Sequence, residues 1–280
     1  MHNILKQKIL KEEDAFPQIK GQQSPKMQLK SALLCERHII LVGPPGIGKT
    51  TLAKNVADLL PEMVLNDCEF HCDPDQPVCP QCKAKSMKTK KVKGSDRFIR
   101  IQGSPDLAVE DLLGDIDPIM ALKYGPTSLE AFKPGKIFRA NNGVLFFDEV
   151  NRCPEKLQNA LLQVLEEGKA TIGNYNVDLP ANFVFIGTMN PEDSSTEKMS
   201  DVFMDRFDLI YVDYPETLEI EKDIVKEKGI NLEVGFPEHL LDFTILFVRL
   251  LRQSNNLQKT NSAISHFLRP ITTYSQCPYK

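Results

Sequence analysis

An α/β fold, with a parallel sheet flanked by helices on both faces, is predicted by three features of this 280-residue chain. Short apolar, often β-branched runs recur at residues 38 to 42, 144 to 147, 183 to 188 and 210 to 212. Stretches at helical spacing lie between them, as in crossover connections, which favour parallel strands. Two of the runs end in polar or glycine-rich segments, and sheets of this type bind ligands at the carboxyl ends of their strands.

The first run, His38 to Val42, leads into Gly43-Pro44-Pro45-Gly46-Ile47-Gly48-Lys49-Thr50, after which Leu52, Ala53, Val56, Leu59 and Leu60 repeat at helical spacing. Strand, glycine loop and helix in that order fit a P-loop. Its glycines let backbone N–H groups approach phosphates, Lys49 reaches the β- and γ-phosphates, and Thr50, with Thr51 beside it, opens the helix and offers its hydroxyl to magnesium. ATP and Mg2+ are the cofactors this implies.

The second run follows an Asn141-Asn142-Gly143 turn and ends in Asp148-Glu149. An acidic pair at a strand end complements a P-loop: Asp148 is assigned to magnesium and Glu149 to the attacking water. A helix over residues 154 to 167 is started by Pro154 and stopped by Gly168, and residues 169 to 180 read as a hairpin around Gly173-Asn174. The third run ends at Met189-Asn190, where Asn190 can orient the same water as a polar sensor of the γ-phosphate. Pro215 then marks a boundary. Beyond it the apolar spacing from Leu218 to Val225 and from Leu240 to Leu250 suggests helices only. The expected division is a nucleotide-binding domain over residues 1–215 and a small helical lid over 216–280.

Composition narrows the function. Charged residues make up 26% and hydrophobic residues 41%, and the net charge of −4 gives no global reason to expect nucleic-acid binding. No apolar stretch has the length of a membrane span, and the amino-terminal segment lacks the apolar core of a signal peptide, so a cytoplasmic location is expected.

The run Gly143-Val-Leu-Phe-Phe-Asp-Glu-Val-Asn-Arg152, then residues 159 to 166, Ile186-Gly-Thr-Met-Asn-Pro191 and Asp205-Arg206-Phe207, resembles the AAA+ ATPases of the MoxR and magnesium-chelatase motor-subunit group. The match runs from about residue 16 to 215. The resemblance implies that Ile19, in Ile19-Lys20-Gly21-Gln22, lines the adenine pocket. It also implies that Arg206 is an arginine finger supplied to a neighbouring subunit's ATP, in a ring expected to be hexameric. Residues 101 to 136 resemble the insertion of this group in its second helix, and residues 169 to 180 the hairpin before the sensor strand.

Cys68-x-x-x-Cys72 and Cys79-x-x-Cys82 lie in a polar insertion over residues 66 to 96. Four thiolates suit tetrahedral zinc, and a small insertion with little apolar content needs a staple. An iron–sulfur cluster or unligated thiols are the alternatives, and His71 could replace one thiolate. Residues 83 to 100 hold six Lys and two Arg against Asp96 alone. No aromatic residue lies between Lys83 and Arg97 to stack on bases, so a solvated loop is favoured over nucleic-acid contact.

The lid departs from the group's pattern. No arginine occupies the sensor position expected near Ser262, helical periodicity stops after Pro270, and the lid is read as truncated or altered. The expected function is an ATP-hydrolysing ring motor that remodels a protein partner or assists metal insertion. The alternative is a nucleotide-dependent assembly module with little turnover.

Overall fold

The computed structural model describes residues 2–12, 14–85, 87–125, 128–172, 175–191, 199–229 and 237–253. In chain order the elements are α1 (His2–Lys11), α2 (Gln23–Leu34), β1 (His38–Val42), α3 (Lys49–Leu59), β2 (Met63–Asn66), α4 (Pro80–Ala84), β3 (Thr89–Val92), β4 (Phe98–Gln102), α5 (Val109–Leu113), β5 (Gly114–Ile116), α6 (Pro118–Tyr124), β6 (Phe132–Pro134) and α7 (Lys136–Arg139). They continue with β7 (Val144–Asp148), α8 (Glu155–Glu167), β8 (Lys169–Ile172), β9 (Tyr175–Pro180), β10 (Val184–Met189), α9 (Asp201–Met204), β11 (Phe207–Tyr211), α10 (Leu218–Lys228) and α11 (Glu238–Gln253).

Five strands form the central sheet in the order β11-β1-β10-β7-β4, and all its neighbouring pairs are parallel. Alternate side chains of each strand enter opposite cores, as the two-residue period requires. Ile39, Leu41, Val144, Phe146 and Ile186 face a core completed by Leu5 and Ile9 of α1, Leu29 and Leu33 of α2, and Leu52 and Val56 of α3. Ile40, Leu145, Phe147 and Phe185 face the other core, completed by Leu112 of α5, Phe138 of α7, and Leu157, Leu161 and Val164 of α8. Burial on both faces is why these strands read as continuous apolar runs.

Strand β4 is the strand of the central sheet that does not stand out in the sequence, where residues 98–102 fall between a basic loop and an insertion. It pairs with β7 from Phe98↔Val144 to Gln102↔Asp148 at the edge of the sheet. Its Phe-Ile-Arg-Ile-Gln pattern carries Arg100 and Gln102, polar residues of the kind that blunt an exposed edge and also hide a strand from an apolar-run criterion. The insertion that follows consists of α5 and an antiparallel β5–β6 pair that encloses α6. Residues 169–180 form the antiparallel β8–β9 pair, with Gly173 and Asn174 outside the described residues.

The cysteine-rich insertion opens and closes on a β2–β3 ribbon, Asn66 pairing with Thr89. Although the insertion has little apolar content, its Phe70, Cys72, Cys79 and Cys82 are part of the same core as Phe138 and Phe147.

Beyond Pro215, α10 and α11 pack together. Arg249 and Arg252 of α11 grip the buried Glu221 of α10 at 3.2 and 2.5 Å. Arg249 also donates to the carbonyls of Pro215 and Glu216, which ties the pair to the boundary. The segment of the expected sensor position, including Ser262 and Pro270, lies outside the described residues.

Candidate nucleotide site

The P-loop leaves β1 at Gly43, where any Cβ would lie 2.1 Å from the Val212 carbonyl oxygen. Gly46 and Gly48 have φ of 81° and 95°, backbone that glycine adopts freely, and a Cβ added at either would meet nothing within 4 Å. The loop thus turns its backbone toward open space above the amino end of α3, a helix terminus suited to phosphate. Pro44, Pro45 and Ile47 complete the loop. Lys49, Thr50 and Thr51 form the first turn of α3. The Lys49 ammonium donates to the carbonyls of Gly43 and Pro44 at 2.6 and 2.7 Å. Burial lowers its pKa to about 8, although Asp148 and Glu149 act in the opposite direction.

Asp148 and Glu149 are delivered to the same end of the sheet by β7 and fixed by Thr188 on the neighbouring strand β10. The Thr188 hydroxyl donates to Asp148 Oδ1 at 2.6 Å and accepts the Glu149 backbone N–H at 2.9 Å. Glu149 leaves the strand with φ of 56°, a left-handed conformation that turns the chain sharply at the site. Its Oε2 accepts from Gln102 Nε2 at 2.8 Å and pairs with Arg152 at 3.2 Å. Arg100 pairs with Asp148 Oδ2 at 2.6 Å.

Thr188, Gln102, Arg100 and Arg152 were not singled out from the sequence. Arg152 and Thr188 lie in the motifs that carry the family resemblance but without an assigned role, and Arg100, Gln102 and Thr188 become neighbours of the acidic pair only once β4, β7 and β10 are placed side by side. Asn190 follows β10 at this end, and its carbonyl accepts from Asn151 at 3.3 Å. Ile19 packs against the core on the α3 face of the sheet. The hydroxyl of Thr50 and the carboxylate of Asp148, already paired with a cationic group, are hard oxygen donors that fit magnesium.

Arg206 stands apart. It immediately precedes β11, whose Phe207 is level with His38 at the amino end of β1. Five strand residues at about 3.3 Å each place Gly43 about 16 Å further along. The Arg206 guanidinium is half exposed and pairs with Glu166 at the end of α8, at 2.5 Å.

The sulfur atoms of Cys68, Cys72, Cys79 and Cys82 all lie within 4.8 Å of one another, the one such group of possible metal ligands among the described residues. Backbone N–H groups point at three of them: Cys72 toward Cys68, Val78 and Cys79 toward Cys72, and Cys82 toward Cys79, each at 3.4 Å. Hydrogen bonds from the neighbouring thiol and from backbone amides lower the pKa of Cys68 to about 5, while burial pushes Cys82 up to about 12. His71 is not part of the group.

Comparison with known proteins finds two family matches. The family described as "ATPase family associated with various cellular activities (AAA)" matches residues 77–209, and "Magnesium chelatase, subunit ChlI" matches residues 15–72. A magnesium-chelatase subunit ChlI homolog of Methanocaldococcus jannaschii is 32% identical over 176 residues, covering 61% of this chain and 46% of that protein. Magnesium-chelatase subunit ChlI of a Nostoc species is 32% identical over 228 residues, 78% of this chain and 57% of that one. A cryo-EM-based structure of the complex between subunits BchI and BchD of magnesium chelatase matches the fold with a TM-score of 0.58 at 21% identity, over 91% of this chain and 77% of that one. The chain spans about half the length of these two relatives. It is an AAA+ ATPase similar to magnesium-chelatase subunit ChlI. Among the described residues no helix is long and apolar enough to cross a membrane.

Proposed function

We propose that the protein hydrolyses ATP with magnesium as a subunit of a homo-oligomeric ring, expected to be hexameric, and uses the cycle to remodel a protein partner or to assist metal insertion. The observation that carries this reading is the hold of Thr188 on both members of the acidic pair at the P-loop end of the sheet. Magnesium, when bound, neutralises phosphate charge, and Thr50 with Asp148 would hold it. Lys49 exchanges its two loop carbonyls for the phosphates, and Glu149 accepts a proton from the attacking water, which Asn190 helps to orient.

Arg206 serves the neighbouring subunit. Its position level with the amino end of β1 leaves it far from its own P-loop, whereas a half-exposed side chain can reach across an interface. The partner role follows from likeness to subunits of magnesium chelatase and from the MoxR group resemblance, and a cytoplasmic location accords with it. The four cysteines hold zinc in the same reading, since their sulfurs converge and accept amide hydrogens.

The experiment is steady-state hydrolysis with nucleotide binding measured alongside. Wild-type protein with magnesium should turn over ATP, and Glu149→Gln should bind it without turnover. Equal hydrolysis by both, after removal of contaminating ATPases, overturns the reading. Tight nucleotide binding with no turnover by wild-type rings turns it into the assembly-module alternative. Capture of co-purifying protein on the ATP-locked Glu149→Gln variant then identifies the client.

A further inference from the structure

The loop between the first two cysteines does more than close a metal site. Its carbonyls at Phe70 and His71 accept hydrogen bonds from the side chains of Asn141 and Asn142 at 3.1 and 3.2 Å. Those two asparagines form the turn that launches β7, the strand carrying Asp148 and Glu149 at its other end. Asn141 Oδ1 in turn accepts the backbone N–H of Asn182, and the Asn142 N–H donates to the Asn182 carbonyl at 2.6 Å. Asn182 stands two residues before β10, the strand that carries Thr188. Gly143, which ends the turn, accepts from Val184, the first residue of β10, at 3.0 Å. Phe70 is seated against Phe138, with ring centroids 5.6 Å apart. The cysteine loop therefore holds the starting points of both strands on which the hydrolytic geometry depends, and makes none of these contacts to β1 or the P-loop.

We infer that zinc in the Cys68–Cys72–Cys79–Cys82 site is a positioning brace for β7 and β10, so that its occupancy governs hydrolysis while leaving nucleotide affinity largely untouched. This rests on the zinc reading of the preceding section. A single tetrahedral ion, with metal–sulfur bonds of about 2.3 Å, places its sulfurs about 3.8 Å apart, and the converged sulfurs suit that size. Because Phe70 and His71 lie between two of the ligands, the ion fixes the two carbonyls that the asparagines use. Losing it frees the loop and with it the turn. The strand is about 13 Å long from Val144 to Asp148, and a rigid five-residue strand passes a displacement at one end to the other. Asn141 and Asn142 are positioning residues in this scheme, with no contact to nucleotide.

The test uses the full chain with its native metal. Elemental analysis should find one zinc per chain, and cobalt substitution should give the intense thiolate-to-metal absorption of a tetrahedral site. Absence of zinc, or iron with sulfide, overturns the metal reading itself. With zinc present, chelation should lower kcat about tenfold, leave KM for ATP within about twofold, lower the thermal midpoint by about 5 °C, and be reversed by added zinc. Unchanged kcat and midpoint after verified removal overturn the brace and leave the zinc reading standing. A loss of nucleotide affinity in step with kcat also overturns it, since it signals general unfolding. Asn141→Ala supplies the second variant. A severalfold fall in kcat at full zinc occupancy and unchanged KM supports the brace, and wild-type kcat at full occupancy overturns it.

Discussion

At the carboxyl ends of β1, β7 and β10 the working side chains come from three short contiguous motifs, Gly43 to Thr51, Asp148-Glu149 and Thr188 to Asn190. At the amino ends of the same sheet the contacts join residues far apart in sequence. Arg97, fully buried, donates to the carbonyls of the distant Pro61 and Asn142 as well as to that of nearby Lys93, and Asn141 reaches back to Phe70. The difference reflects what each end must do. Chemistry on a phosphate needs a few groups at fixed spacing, which a strand end and its following loop supply locally. Closing the other end needs every buried carbonyl partnered, and any donor that the topology brings near will serve.

The contrast can be broken by substitution, and the largest effect should come from the residue that belongs to neither end of its own site. Arg206→Ala should reduce turnover by about 10³-fold or more, the scale of a finger supplied in trans. Mixing Arg206→Ala chains with Lys49→Ala chains should restore part of the activity, because some interfaces then pair an intact P-loop with an intact finger. No rescue in assemblies shown by native mass spectrometry to be mixed would place the finger in its own chain. Next in size, Glu149→Gln should cost about 10²–10⁴-fold in kcat with nucleotide affinity retained, while Lys49→Ala should lose affinity, measured by titration with a fluorescent ATP analogue.

At the amino end, Arg97→Met should destabilise the fold by about 2–3 kcal/mol, since three carbonyls lose their donor, without changing KM for ATP. Denaturant unfolding and kinetics on the same preparation check this, and a changed KM at wild-type stability would erase the distinction between the ends. The smallest effect should be that of Thr188→Val, which keeps the shape of the buried side chain but removes the hydroxyl between Asp148 and Glu149. About a tenfold fall in kcat with stability within about 1 kcal/mol of wild type is expected.

The same contrast explains what was legible in the sequence. The P-loop and the acidic pair stand out because each is contiguous, and the cysteine tetrad because its four members lie close in sequence, where the fold brings their sulfurs together. The three inner strands, β1, β10 and β7, could be read because burial on both faces makes them uniformly apolar, and the edge strand β11 through its apolar Leu209-Ile210 end. Strand β4 could not, because its own Phe-Ile-Arg-Ile-Gln sequence alternates polar with apolar residues, and with it went Arg100 and Gln102. Thr188 lay inside a strand that was recognised. Its role depends on β10 lying beside β7, a strand order that periodicity does not encode. The tie of the cysteine loop to Asn141 and Asn142 spans about seventy residues, and the Asn-Asn-Gly sequence suggested only a turn.

The β2–β3 ribbon gives the cysteine-rich insertion a particular kind of independence. Because Asn66 lies opposite Thr89, the chain leaves and re-enters the domain at one doorway. The entropy of closing a loop there grows only slowly with its length. A protein engineer could therefore graft a foreign loop at the same doorway without opening a second break in the chain. Such a graft would keep its host intact only if it also offered backbone acceptors to the two asparagines and an aromatic ring to Phe138. The doorway thus acts as a socket with a defined set of pins, open to new sequences and selective about their shape.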